Sequence, residues 1–220
     1  LFETRRKTLK PRPRLSLVEW ADTYRFLSPE SSSQPGRFNS AMVSAAIGPM
    51  MAVTDPTIKK ISIMCCTQLM KTEIINNIVG YFVHQDPSPI IVMQPTVSLA
   101  KTWSKDRLSP MIRDTPVLTE LIKTKKSRDS GNTLQHKSFP GGHITVIGSN
   151  SPSELASRPV RITLRDEIDK YEDNAEGDPS ALIQERAATF WNALDVGVCS
   201  PTIKGRSRIE REYLSSDRRE

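Results

Sequence analysis

The sequence contains few cysteines and few glycines, and each shortage argues against a class of protein. Two of its three cysteines, Cys65 and Cys66, are adjacent, and neighbours in sequence rarely pair with each other. A secreted disulfide framework is therefore not expected, and a reducing cytosol fits better. Ten glycines in 220 residues exclude collagen-like and glycine-rich linker proteins. A chain of this length can instead bury a sizeable core without disulfides.

Long apolar runs are also missing. No run approaches the roughly 20 residues that cross a bilayer, so we expect no contact with a membrane. The first 14 residues lack the apolar centre of a signal peptide, and the chain does not begin with Met. We therefore interpret the chain as a fragment of a longer protein.

Positive charge, by contrast, is in excess: 31 Lys and Arg against 25 Asp and Glu give a net charge of +6. Residues 1–14 hold six basic residues and one acidic residue, a net charge of +5. A second basic run contains Lys123, Lys125, Lys126 and Arg128. Both segments are suited to nucleic-acid phosphates, and a solvated tail and a solvated loop are the alternative.

The hydrophobic pattern divides the chain into two parts. We predict that residues 1–58 form a basic arm and a helical extension packed on the core. Within it, Ser16 and Glu19 form an S-x-x-E capping box that starts a helix running to about Leu27. Residues 59–220 are predicted to form the core.

Strands and helices alternate along this core, beginning with a buried strand Lys60–Cys65 and a helix Thr72–His84. The alternation predicts an α/β fold with a mostly parallel central sheet and helices on both faces. Ligands bind such sheets at the carboxyl ends of the strands. The candidate functional residues should therefore lie in the loops there.

The loop after the first core strand partly matches the phosphate-loop pattern G-x-x-x-x-G-K-[ST]. Lys71 and Thr72 fit the pattern, whereas Cys65 and Met70 replace its two glycines. The replacement removes no donor, because backbone N–H groups and the helix N-terminus bind the anion. The lysine adds a charge, and the threonine hydroxyl can bind Mg²⁺. The alternative is an ordinary Lys-Thr pair at the start of a surface helix.

A predicted strand, Val160–Leu164, leads directly to Asp166 and Glu167. An aspartate at a strand end can hold Mg²⁺, and a glutamate beside it can orient or deprotonate an attacking water. The alternative is a solvated acidic turn. Because polar residues alternate with apolar ones along this strand, we predict that it is half-buried.

A third polar segment, Ser200-Pro201-Thr202, follows the predicted strand 195–199. Small hydroxyl residues there could sense the γ-phosphate of a nucleotide, or they could form a plain turn. Together the three segments have the layout of an ATP hydrolase.

With these segments, the chain resembles the ATPase part of the large terminase subunit of tailed double-stranded DNA bacteriophages, in the lambda-type branch. The stretches that carry the resemblance are TQLMKTE (67–73), QPTVSLAKTWSKDRLSPMI (94–112), GSNSPSELASRPVR (148–161), RDEIDKYE (165–172) and CSPTIKGRSRIEREYLSSDRR (199–219). They occur in the family's order and cover most of residues 60–219.

The resemblance implies an ATP-driven motor that packs viral DNA into an empty capsid, built on a RecA-like (ASCE) P-loop core. It implies ATP and Mg²⁺ as cofactors and the host cell cytoplasm as the location. It implies four partners: double-stranded DNA, the portal of the procapsid, the small terminase subunit, and further copies of the chain in a homo-oligomeric ring. The family's nuclease domain is expected to be absent from this chain.

The resemblance also assigns residues. The nucleotide-binding loop would comprise Cys66, Thr67, Gln68, Leu69, Met70, Lys71 and Thr72. Lys71 would contact the β- and γ-phosphates, and Thr72 and Asp166 would bind Mg²⁺. Glu167 would be the catalytic base. The coupling motif that links hydrolysis to DNA movement would be Ser200, Pro201 and Thr202.

The chain departs from the family at two points. Many large terminases have an arginine in the phosphate loop where this chain has Thr67, so an arginine finger must come from elsewhere. Arg158 and Arg161 are the first candidates, and Arg37 is a further one. The family's adenine-contacting glutamine aligns near Ala46, so no residue is assigned to the adenine.

Two other functions remain open from the sequence. One is a basic DNA-binding or assembly module whose nucleotide site is degenerate, which the missing glycines and the polar alternation of the strand before Asp166 favour. The other is a helicase, which the DExD form of residues 166–169 permits, although a helicase normally needs a second RecA-like domain. The joint presence of Lys71, Thr72, Asp166 and Glu167 favours the ATPase.

Overall fold

The computed structural model describes residues 14–67, 69–122, 133–151, 159–173 and 177–219. The strands are β1 (Phe26–Leu27), β2 (Gly36–Arg37), β3 (Lys60–Met64), β4 (Ile90–Gln94), β5 (His136–Phe139), β6 (Gly142–Gly148), β7 (Ile162–Asp166) and β8 (Leu194–Cys199). The α-helices are α1 (Leu17–Tyr24), α2 (Ile47–Val53), α3 (Lys71–His84), α4 (Val97–Trp103), α5 (Ser109–Asp114), α6 (Pro116–Leu121), α7 (Pro179–Glu185) and α8 (Arg208–Leu214). Shorter helical turns are the 3₁₀ segments Ser40–Ala46 and Ile168–Lys170 and the π segment Ser104–Leu108.

Within the described residues, six strands form the central sheet in the order β3-β8-β7-β4-β6-β5. The first five are parallel to their neighbours, and β5 pairs antiparallel with β6 at the edge. Strand β8 is late in the sequence but lies between β3 and β7. The carboxyl ends of β3, β8 and β7 therefore meet at one edge of the sheet, which brings the loops that follow them together.

The sheet is covered on both faces, as predicted. All of β4 is buried, and its side chains alternate between two cores because successive residues of a strand point to opposite faces. Ile90 and Val92 belong to the larger core, together with α3. Ile91 and Met93 belong to a second core on the other face, together with residues of α7 and α8. The α/β architecture predicted from the alternation of elements is thus confirmed.

The N-terminal extension packs tightly on α3. The predicted capping box is formed: the backbone N–H of Ser16 donates to Glu19 at 2.8 Å, and that of Glu19 donates to the Ser16 hydroxyl at 3.2 Å. Helix α1 ends at Tyr24, before the predicted end. The Trp20 ring is fully buried against Gly80, where an added Cβ would lie 2.3 Å from a ring carbon. The division of the chain at residue 58 stays a prediction.

Two predictions about strand burial are wrong. Strand β3 is only half-buried, because it is the first strand of the sheet and has β8 as its one strand neighbour within the described residues. Strand β7 is fully buried and extends to Asp166, two residues beyond the predicted end. Its polar residues have partners inside the protein: Thr163 donates to Asp195 at 2.7 Å, and Arg165 lies between Asp195 and Glu212. The alternation along β7 therefore marks an apolar core on one face and a buried ionic cluster on the other.

Candidate active site

The first component of the site is the loop that joins β3 to α3. Met70 precedes the helix with φ 48° and ψ 15°, a left-handed conformation, and no side chain caps the helix. The first N–H groups of α3 are therefore not satisfied by a capping side chain, and such groups favour an anion. Glu73 in the first turn is paired with the buried Arg25 of the extension at 2.8 Å, which anchors this end of the helix.

Met70 takes the backbone conformation that the second glycine of a phosphate loop would take without strain. A left-handed conformation costs an L-residue about 1–2 kcal/mol. Partial burial of the Met70 side chain against the larger core offsets that cost. The missing glycine therefore does not prevent the loop from adopting a geometry with a positive φ.

Lys71 connects the three segments that the sequence singles out. Its side chain is 9% exposed, and its Nζ donates to Glu167 Oε1 at 2.9 Å. The same ammonium donates to the hydroxyl of Ser200. The phosphate-loop, acidic and coupling segments therefore meet at one cation, as expected for loops at the carboxyl ends of adjacent parallel strands.

Asp166 is the last residue of β7 and is nearly buried. Its Oδ2 accepts a hydrogen bond from Gln94 Nε2 at 3.0 Å, and burial raises the pKa of its carboxyl group. Gln94 is the last residue of the neighbouring strand β4, and no sequence pattern assigned it a role. A polar residue at the end of an otherwise apolar strand was the signal that could have identified it.

Glu167 follows directly and has a left-handed φ of 56°. Its backbone N–H donates to Val198 of β8 at 2.8 Å, which fixes the turn. Burial alone would raise the pKa of its carboxyl group, but the hydrogen bond and charge of Lys71 and the charge of Lys170 outweigh it and hold the pKa below the ordinary value. Glu167 is therefore ionised at neutral pH, and a quarter of its side chain stays exposed.

The donor set for a metal fits Mg²⁺. Thr72 offers a hydroxyl one residue after Lys71, and Asp166 offers a buried carboxylate with no ion-pair partner in the described part of the chain. Mg²⁺ prefers oxygen ligands and is usually held by one or two protein groups together with waters and substrate phosphates. Across the described ranges, no cluster of three or more His, Cys, Asp or Glu side chains could form a separate metal site.

Among the remaining predicted residues, Cys66, Thr67 and Pro201 are exposed and Leu69 is half-buried. The Ser200 hydroxyl accepts a hydrogen bond from Lys71. The exposed Thr202 donates from both its N–H and its hydroxyl to Asp169. Gln68 and Arg158 lie outside the described residues, so their assignments stay predictions.

The assignment of Arg161 as an arginine finger for the site of its own chain is wrong. It precedes β7 and therefore lies at the amino edge of the sheet, whereas Asp166 ends the same strand at the carboxyl edge. There it pairs with Asp86 at 2.7 Å and stacks on Phe82. Arg37 donates to the Thr23 carbonyl at 3.1 Å. Ala46 is buried in the larger core.

No helix in the described ranges is long and apolar enough to span a bilayer.

Comparison with solved structures supports the fold: the HK97 bacteriophage large terminase superposes with a TM-score of 0.70 at 12% identity, over 90% of this chain and 40% of that one. The ATPase domain of the Thermus phage P74-26 large terminase gives 0.56 at 14% identity, over 76% and 68% of the two chains.

The sequence comparisons identify the family. The chain is 26% identical over 200 residues to the terminase large subunit of Enterobacteria phage P21 and 25% identical over 214 residues to that of Escherichia phage lambda. The two matches cover 90% and 96% of this chain but only 31% and 33% of the relatives' length. The family model for the ATPase domain of phage terminase large subunit gpA matches residues 32–220. The chain therefore belongs to the gpA-type ATPase-domain family of phage terminase large subunits.

Proposed function

We propose that this chain binds ATP with Mg²⁺, hydrolyses the γ-phosphate, and so drives double-stranded viral DNA into a capsid. The observation that carries the proposal is the meeting of Lys71 with Glu167 and Ser200. A nucleotide placed at the start of α3 would have its terminal phosphate among a cation, an ionised carboxylate and a hydroxyl.

Each group has a role in phosphoryl transfer. The first N–H groups of α3 and the Lys71 ammonium would bind the phosphates. Thr72 and Asp166 would hold Mg²⁺, which when bound neutralises charge that develops on the phosphate oxygens. Gln94 fixes the orientation of the Asp166 carboxylate through its hydrogen bond.

Glu167 would orient and deprotonate the attacking water. In the structure its carboxylate is paired with Lys71. The phosphate oxygens of ATP carry more negative charge than one carboxylate and would compete for the ammonium. The competition would release one Glu167 oxygen for the water, so that the base becomes available when nucleotide is bound.

The proposal extends to the whole packaging enzyme. Ser200-Pro201-Thr202 would link hydrolysis to movement of DNA, and the basic segments 1–14 and 123–128, which lie outside the described residues, would contact DNA phosphates. An arginine finger would come from Arg158 or from a neighbouring copy in a homo-oligomeric ring. The portal and the small terminase subunit would be the other partners, in the cytoplasm of the infected host.

The degenerate-site alternative loses both of its arguments. Met70 adopts the left-handed conformation expected of the missing glycine, and the polar alternation along β7 belongs to a fully buried strand. No described feature favours a DNA-binding module without ATP hydrolysis over the ATPase.

The proposal is tested by ATP turnover of Lys71→Ala and Glu167→Gln. Lys71→Ala should abolish turnover and weaken nucleotide binding, whereas Glu167→Gln should keep binding and lower turnover at least about a hundredfold, or roughly 2.7 kcal/mol. Lys101→Ala and Glu172→Gln change exposed residues of the same types and should leave turnover unchanged. Wild-type turnover by Lys71→Ala would contradict the assignment.

A further inference from the structure

Asp169 lies on a rigid turn immediately after the proposed base. The turn Ile168–Lys170 begins with the fully buried Ile168, and the backbone N–H of Lys170 donates to the Glu167 carbonyl at 2.9 Å. The next residue, Tyr171, is buried and donates its hydroxyl to the Met93 carbonyl at 2.8 Å. These contacts hold the turn at both ends, so the positions of Asp169 and Glu167 are fixed relative to each other.

Both oxygens of the Asp169 carboxylate accept hydrogen bonds from other loops. Oδ2 accepts from the N–H of Thr202 at 3.0 Å and from its hydroxyl at 2.9 Å. Oδ1 accepts from the N–H of Ile209, in the first turn of α8, at 2.9 Å. Burial would raise the pKa of this carboxyl group, but hydrogen bonds from Ile209, Ser207 and Thr202 outweigh it and lower the pKa. The anion is therefore the form that these contacts select.

These contacts complete a closed ring around the site. Lys71 holds Glu167 and Ser200. Two residues further along each segment, Asp169 holds Thr202. The coupling loop is thus fixed at both of its ends, by the cation at Ser200 and by the carboxylate at Thr202. If either loop moves, it must break the Asp169–Thr202 contact or move the other loop with it.

We propose that Asp169 is a positioning residue that sets Glu167 and the coupling loop in register and passes the movement of that loop to α8. The inference rests on the proposed ATPase function and adds a residue to it. In this role Asp169 would not touch the nucleotide. Its loss should therefore slow hydrolysis while leaving the affinity for nucleotide unchanged.

Four variants separate this role from a general structural one. Asp169→Asn places an amide N–H₂ group against the N–H donors, whereas Asp169→Glu keeps two acceptor oxygens on a longer side chain. Thr202→Val removes one of the two hydrogen bonds that Thr202 donates to Asp169 and leaves the backbone contact, so it should lower kcat, but by less than Asp169→Asn does. Asp173→Asn is the matched control, since Asp173 is 70% exposed in the same segment and pairs only with Arg208 among the described residues.

The test compares ATP turnover with the affinity for a non-hydrolysable ATP analogue. Asp169→Asn should lower kcat about tenfold or more, because small misplacements of catalytic groups have effects up to about a hundredfold. Its Kd for the analogue should stay within about twofold of wild type. Asp169→Glu should recover part of the turnover, and Asp173→Asn should match wild type. The double variant Asp169→Asn/Thr202→Val should be no slower than Asp169→Asn, since both changes act on the same Asp169–Thr202 contact.

Three results would overturn the inference. Wild-type kcat in a folded Asp169→Asn chain would do so alone and would leave the proposed function intact. Equal losses of kcat and analogue affinity would assign Asp169 a structural role. If Asp169→Asn does not fold, normal kcat in Thr202→Val decides against the inference. A wild-type chain without turnover would instead overturn the proposed function and this inference with it.

Discussion

Lys71 and Arg165 are both cations withdrawn from solvent, but the regions around them are built differently. Arg165 is fully buried, and two carboxylates occupy its fork: Nε and Nη2 donate to Asp195 at 2.9 and 2.7 Å, and Nη1 donates to Glu212 at 2.9 Å. Lys71 meets one carboxylate and one hydroxyl at the edge of the sheet.

The difference explains why one cation is structural and the other is suited to binding phosphate. Arg165 is fully buried and its partner Asp195 is only 11% exposed, so a ligand could not replace this pair without leaving a charge buried and alone. Glu167, the partner of Lys71, is 26% exposed and has a second cation, Lys170, at 3.3 Å. Glu167 can therefore give up Lys71 to an anionic ligand without being left buried and alone.

Removal of Arg165 should have the largest effect on stability. Arg165→Met leaves Asp195 and Glu212 without their shared cation, and breaking such a buried pair costs about 3–5 kcal/mol. The free energy of unfolding from urea titration measures the loss. Arg165→Lys, which keeps the charge but not the bidentate geometry, should lose less. A cost under about 1 kcal/mol would contradict the view of this cluster as structural.

Glu212 should make the stability of the cluster depend on pH. Burial alone would raise the pKa of its carboxyl group, but the hydrogen bonds and charge of Arg165 outweigh it and hold the pKa below the ordinary 4.5. A lowered pKa contributes stability above pH 4.5, and the contribution is lost as the pH falls through the folded-state value. Glu212→Gln should cost about 1.5–3 kcal/mol at pH 7, because it removes a charged hydrogen-bond partner.

The difference in unfolding free energy between wild type and Glu212→Gln should then shrink as the pH falls below 4.5. Denaturation of both proteins at a series of pH values measures this. A difference that stays constant across the series would show that Glu212 does not titrate in this way.

The strain at Met70 predicts a reversal of the usual order of alanine and glycine. Both Met70→Ala and Met70→Gly lose the packing of the methionine side chain, but only glycine also relieves the left-handed strain. The glycine variant should therefore be more stable than the alanine variant by about 1 kcal/mol. Thermal unfolding of the two variants measures the difference, and an alanine variant that is equally stable would argue against a strained loop.

Removal of Lys71 should have the smallest effect on stability. Lys71→Met leaves Glu167 partly exposed and still close to Lys170, so the free energy of unfolding should change by less than about 1 kcal/mol. ATP turnover should nevertheless be lost. A stability loss comparable to that of Arg165→Met would remove the distinction between the two cations.

Local patterns in the sequence were sufficient to predict much of the fold. The capping box fixed the start of α1, because its two hydrogen bonds involve residues only three positions apart. The alternation of strands and helices predicted the parallel sheet, and the sheet brought Lys71, Glu167 and Ser200 together. Residues at the carboxyl ends of adjacent parallel strands must lie close in space, whatever their separation in sequence.

Other features depended on contacts between distant residues. Gln94 contacts Asp166, which is 72 positions away, and no local pattern connects the two. The polar alternation of β7 led to the wrong prediction of a solvent-facing side. The partners that bury Arg165 lie 30 and 47 positions later in the chain, so no local pattern reveals them. The same limitation affected Arg161, whose place at the amino edge follows from the direction of β7.

By itself, the sequence determined the order of strands and helices, and that a lysine, two carboxylates and a hydroxyl lie near the carboxyl ends of the strands. Only the tertiary structure decided which cation meets which carboxylate, and how deeply each pair is buried. The physical reason is that the cost of a buried charge depends on its partners: a cation whose partners are buried needs them fixed, and a cation whose partner is partly exposed can exchange it. Arg165 is of the first kind and Lys71 is of the second.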